Sequence, residues 1–153
     1  MEALRAAAAI LLLALPAAAK DSADGASGPE RLVLKSHAPS GSLYMTVRAD
    51  GFLVVREELE PDAGRKPLKE TRRVPVNKAR EILALAGKNG FMALEPSIVG
   101  RGARPEGGDT VWSLDLRAGG RSKRVQVQGE MPRPFAELVE RITALYGKPL
   151  PGP

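Results

Sequence analysis

Asp50-Gly51 stands between two runs of alternating apolar and polar residues, Leu43–Ala49 and Phe52–Glu58, and no other feature restricts the fold as tightly. An Asp-Gly pair in that setting is the strongest short signal for a β-hairpin, because a two-residue turn needs positive φ at both of its positions. Such a turn predicts the pairing. Ala49 is expected opposite Phe52, Val47 opposite Val54 and Met45 opposite Arg56 on a mainly apolar face. Arg48 opposite Leu53, Thr46 opposite Val55 and Tyr44 opposite Glu57 make the other, mixed face. One apolar and one mixed face describe a sheet covered on one side only.

A second hairpin is predicted over Thr110–Gln128, with Gly119-Gly120 as its turn. That register sets Leu114 against Val125 and Trp112 against Val127 on one face, and Asp115 against Arg124 and Ser113 against Gln126 on the other. Apolar residues meet apolar ones and an acid meets a base, so the pairing is internally consistent. Two further extended segments are expected at Arg31–His37 and Leu68–Val76. Pro75 places the second of these at a sheet edge or ends it there.

Helices follow each hairpin. After Asn77, the expected cap, Ala79, Ile82, Leu83 and Ala86 fall at i, i+3, i+4 and i+7 and predict a helix over Lys78–Lys88, ended by Gly90. Phe91 and Leu94 are expected to turn back onto the core. Pro132-Arg133-Pro134 introduces a second helix over Pro134–Tyr146, whose stripe is Phe135, Leu138, Val139, Ile142, Leu145 and Tyr146, and Gly147 ends it. The expected fold is α+β: an antiparallel sheet of two hairpins plus extra strands, with two helices packed on one face in a ββαββα-like order. Its domain spans residues 30–147, after a flexible leader at 20–29 and before a Pro-rich tail at 148–153.

Residues 1–19 have the layout of a secretory signal: a short polar start, an apolar run from Ala6 to Leu15, Pro16, and then Ala17-Ala18-Ala19 before Lys20. The run is shorter than the roughly 20 residues a membrane-spanning helix needs. The expectation is an exported protein, periplasmic or secreted, with no stable membrane span after cleavage. The chain has no cysteine, which excludes disulfides, thiol catalysis and lipoprotein acylation. Its abundance of Ala, Gly, Pro and Arg suits a GC-rich bacterial genome. The net charge of +5 survives signal removal, which takes away one acid and one base.

The chemistry legible in the chain is sparse. His37 is the sole histidine; Ser36, Ser40 and Ser42 are near it in sequence, but no G-x-S-x-G elbow is present. Glu57, Glu58, Glu60 and Asp62 follow neither a calcium-loop pattern nor the layout of a glycosidase pair. No enzyme, cofactor or metal is therefore expected. Arg65, Lys66, Lys69, Arg72, Arg73, Lys78 and Arg80 are either a patch for an anionic partner or a charged, protected edge strand, and the edge reading is the stronger. Ser97–Gly108 reads as an irregular glycine-rich loop, with Arg101 and Arg104 as recognition residues or simply as parts of a mobile loop. Trp112 is assigned to core packing, and the low aromatic content argues against an extended stacking platform.

The order hairpin, helix, Gly90-Phe91-x-x-Leu94, loop, hairpin, helix resembles small exported bacterial domains of unknown function and emfourin, a protein inhibitor of thermolysin-like metalloproteases. The Arg-Ser-Gly-Gly start associated with emfourin is absent; only Ser40-Gly41 stands near it, and no inhibitory residue is carried over. The expected function is a non-enzymatic binding module acting on an envelope or secreted protein, with inhibition of a secreted metalloprotease and an envelope hydrolase as alternatives. Export makes nucleic acid an unexpected partner. Binding is expected at Tyr44, Arg48, Leu53 and Val55 on the uncovered sheet face, together with Arg101 and Arg104. The alternative is that the apolar members of this set pack under the N-terminal segment or the loop 59–67.

Overall fold

The computed structural model describes residues 29–104 and 108–149. The signal segment, most of the leader, part of the glycine-rich loop and the end of the tail lie outside the described residues. Seven strands form one sheet: β1 (Arg31–Ala38), β2 (Gly41–Arg48), β3 (Phe52–Leu59), β4 (Lys69–Arg73), β5 (Ser97–Val99), β6 (Val111–Ala118) and β7 (Arg121–Gln128). Two helices, α1 (Val76–Lys88) and α2 (Arg133–Tyr146), complete the α+β fold. The strand order is β4-β3-β2-β1-β6-β7-β5, and every pairing is antiparallel except the parallel contact of β5 with β7.

One face of the sheet carries the core. Leu32 and Leu34 of β1 pair with Val47 and Met45 of β2 and with Leu116 and Leu114 of β6, and all six are buried. The stripes of both helices close over them: Ala79, Ile82, Leu83 and Ala86 from α1, and Phe135, Leu138, Ile142 and Tyr146 from α2. Phe91, in a 3₁₀ turn after α1, meets Phe135 with ring centroids 6.5 Å apart. Asn89 ties the helices together, donating from Nδ2 to the Pro134 carbonyl at 2.9 Å and accepting the Phe91 N–H at 3.1 Å. The second hairpin has the expected register, with Gly119 and Gly120 both at positive φ.

The first hairpin does not. Val47 pairs with Leu53, Met45 with Val55 and Leu43 with Glu57, one residue out of step with the sequence-based pairing. The connection is a three-residue loop, Ala49-Asp50-Gly51: the Gly51 N–H donates to the Arg48 carbonyl, and Gly51 alone takes positive φ, at 84°. This is a type I turn followed by a glycine bulge. A one-residue slip exchanges the two faces of a strand. Leu53 and Val55, expected on the open face, are therefore 0% and 1% exposed in the core. The observed register packs Met45 and Val47 against aliphatic partners, where the two-residue turn would bring Arg56 into the core face.

Three smaller corrections follow. α1 starts at Val76 with Pro75 as its cap, so Asn77 lies in the first turn rather than capping it. Proline supplies a fixed φ and has no N–H to satisfy there. Ser97–Val99, expected to be irregular, forms β5, because the Gly100 and Gln126 N–H groups engage Gln128 and Pro96 carbonyls along β7. Trp112 is on the helix side of the sheet as expected, yet only half-buried. β4 is indeed a basic edge strand.

Candidate functional site

The helices cover one side of the sheet, and its other side is a row-by-row array of side chains set by the register. One row crosses five strands: Arg117 of β6, Arg31 of β1, Arg48 of β2, Phe52 of β3 and Arg73 of β4. The next row but one holds Lys35, Tyr44, Arg56 and Lys69. Cations bracket both rings. The Arg56 guanidinium and Lys35 ammonium lie 4.7 and 5.0 Å from the Tyr44 centroid, and the Arg73 and Arg48 guanidinium groups 3.7 and 5.1 Å from that of Phe52. Each such contact is worth about 0.5–1 kcal/mol at an exposed site. Asp50 pairs with Arg48 and Glu58 with Arg56, so on the half of the face made by β1–β4 the bases outnumber the acids.

Of the residues singled out from sequence, Tyr44 and Arg48 belong to this array and Leu53 and Val55 do not. Arg101 and Arg104 lie beyond β5, four strands from β2 and about 19 Å away at the usual strand spacing. Their loop is fastened elsewhere: the Arg101 carbonyl accepts the Glu130 N–H, and the Arg104 carbonyl accepts Gln128 Nε2. Phe52, Arg56 and Lys35 were missed, and Arg73 was read only as part of the basic stretch 65–80. Phe52 and Arg56 alternate with the core residues Leu53 and Val55 once the hairpin is read with its bulge.

His37, Ser42 and Glu58 share one row of the same face. His37 Nδ1 lies 2.7 Å from Ser42 Oγ, but Glu58 lies on the serine's far side and accepts the Tyr44 hydroxyl. A triad needs the imidazole between nucleophile and acid. In this order the carboxylate has no hold on the imidazole.

On the helix side, Glu57 is the one buried charged residue among those described. Arg65 clamps it through both terminal guanidinium nitrogens at 2.8 and 2.9 Å, and the Leu68 N–H donates to the same carboxylate at 2.9 Å. This clasp holds the loop 59–67 against β3. The Arg65 hydrogen bonds, helped by the Leu68 N–H, outweigh burial and hold the Glu57 carboxyl below its ordinary range. A depressed carboxylate pKa gives stability that is complete above the unfolded-state value, about 4.3, and is lost as pH falls through the folded value. Melting temperature is therefore expected to drop below about pH 4, and Glu57→Gln to flatten that acid limb. Arg65→Ala leaves the buried carboxylate without its cation and is expected to lower the urea midpoint at pH 7, by less than for a fully buried pair because Arg65 is half-exposed. Urea titrations at pH 7 and pH 3.5 check both.

No protein-family model matches the chain, and no curated protein matches it.

Proposed function

We propose that the protein is a non-enzymatic binding module of the cell envelope or medium, and that its helix-free sheet face grips an acidic surface on a protein partner. The carrying observation is the array of Arg31, Arg48, Arg73, Lys35 and Arg56 around Phe52 and Tyr44. Like charges directly opposite one another across strands are unfavourable for folding. Arg31 nevertheless stands directly opposite Arg48, whose charge Asp50 offsets. An acidic partner turns that arrangement to advantage, and aromatic residues and arginines together make effective interface anchors. The signal-like segment at residues 1–19 supports action outside the cytoplasm. Among the described residues no helix is long and apolar enough to cross a membrane. The likeness in layout to emfourin makes a secreted metalloprotease the narrower candidate for the partner.

The test is capture from envelope extract and culture medium, with a thermolysin-like protease included, followed by affinity measurement on the purified partner. Arg31→Glu with Arg73→Glu is expected to weaken binding about 100-fold while leaving the melting temperature within a few degrees, since both side chains are exposed. Wild-type affinity is expected to fall as salt rises. Unchanged affinity in the double variant would move the interface off this face.

A further inference from the structure

A cavity of about 710 Å³ opens on the helix side of the sheet, across from the basic face. Its floor is built by the register. Trp112, Ser36, Leu43 and Glu57 are cross-strand neighbours in one row, and Ala38, Gly41 and Leu59 form the row beside it. Ser36, Ala38 and Gly41 are small, while Trp112 at one end and Leu59 with the Glu57–Arg65 clasp at the other are large. A trough between bulky ends results, three strand spacings or roughly 14 Å long. Neither helix stripe supplies a residue to its lining. The cavity lies within the volume range of small-molecule sites, and it combines apolar walls with a few convergent polar groups.

We infer that this trough binds a short neutral saccharide of one or two rings. The half-buried indole of Trp112 offers an apolar ring face of the kind a pyranose stacks on, and one tryptophan suffices for a trough that holds one or two rings. Ser36 and Thr110 place hydroxyls along the floor and mouth, and Glu60 and Asp62 bring acceptors from the loop 59–67. Arg65 is already engaged by Glu57, so the clasp presents no unbalanced cation to draw an anionic ligand. Hydroxyl-rich ligands match donors and acceptors that are spread along a trough, whereas a point charge needs them gathered at one spot. The site lies on the opposite side of the sheet from the proposed protein-binding face and stands independently of it.

Trp112 is the sole tryptophan in the chain, so its emission reports on this trough alone. The experiment titrates the full mature chain with cellobiose, maltose and N,N′-diacetylchitobiose, and in parallel with glucuronate and a Lys-Lys dipeptide. The expected result is a saturable change in emission with at least one of the three neutral disaccharides. Thr110→Val is expected to weaken that binding about fivefold, the loss of one neutral hydrogen bond. Ser36→Phe, which fills the floor, is expected to abolish it with the melting temperature retained; Ala38→Leu serves the same purpose if Ser36→Phe does not fold. No saturable change with any neutral disaccharide overturns the inference. So does saturation by glucuronate or the dipeptide alone, and so does undiminished binding in a folded variant with a filled floor.

Discussion

Leu114→Asp is expected to leave the domain unfolded at room temperature. Leu114 is 0% exposed in the interior strand β6, paired with Leu34 on one side and Val125 on the other, and both of those are buried too. Truncation to alanine at such a site costs about 3 kcal/mol from lost transfer energy and the cavity left behind. Aspartate adds the penalty of a carboxylate with no partner, which the protein escapes only by protonating it or by opening the core. The sum approaches the whole stability of an ordinary domain, about 5–15 kcal/mol. Ile142→Asp removes the same core from the helix side and is expected to match it, because Ile142 is also 0% exposed. Thr46→Asp on the open face is the control and is expected to stay within about 1 kcal/mol of wild type. Circular dichroism during urea titration reads all three. Unchanged unfolding of Leu114→Asp would mean that the sheet has no single buried face.

Much of the fold was legible because local signals and long-range packing agree. The α1 stripe at 79, 82, 83 and 86 and the α2 stripe around Phe135, Leu138 and Ile142 are written in the sequence at helical spacing and are buried as written. The Gly119-Gly120 turn has one sensible register and adopts it. Asp50-Gly51 has two. A two-residue turn uses Asp50 and Gly51 together; a three-residue loop recruits Ala49 and needs positive φ at Gly51 alone. The turn dipeptide does not decide between them, but the strands do. Only the second register sets Leu43, Met45 and Val47 on the same side as Leu53 and Val55. Because Val54 and Val55 are both apolar, alternation in β3 by itself does not show which residue points inward. The basic face was hidden for the same reason, since its β2 and β3 residues are those that alternate with that core. β5 was unreadable: three residues between glycines and prolines carry no periodicity, and their strand exists only because β7 lies alongside. The trough was unreadable as well, since it depends on where the helices stop covering the sheet.

Gly51→Val tests the turn on which both faces of the hairpin depend, and it is expected to cost about 4 kcal/mol. The first contribution is backbone. Gly51 holds φ at 84°, and a side chain in the left-handed region costs about 1–2 kcal/mol, more when it is branched at Cβ. The second is crowding. A Cβ at this position would lie 2.7 Å from the Val74 carbonyl oxygen and 3.0 Å from Val76 Cγ2, because the chain leaving β4 crosses directly over the turn and donates the Val74 N–H to the Gly51 carbonyl. Relieving such overpacking costs about 1–3 kcal/mol. Gly120→Val isolates the two terms. Gly120 has φ of 71° but open space around its Cα, so only the backbone cost of about 2 kcal/mol is expected there. The hairpin cannot escape by slipping one residue. That would carry Leu53 and Val55 from 0% and 1% exposure out to solvent, at about 1.5–3 kcal/mol each, and would draw Arg56 inward in their place. Gly51→Val is thus expected to lower stability while Tyr44, Phe52 and Arg56 stay together on the open face in whatever fraction remains folded. Binding of the proposed partner, per folded molecule, should match wild type. Equal costs for Gly51→Val and Gly120→Val would show that the chain after β4 does not press on the turn. Loss of binding in the folded fraction would show that the register itself had moved.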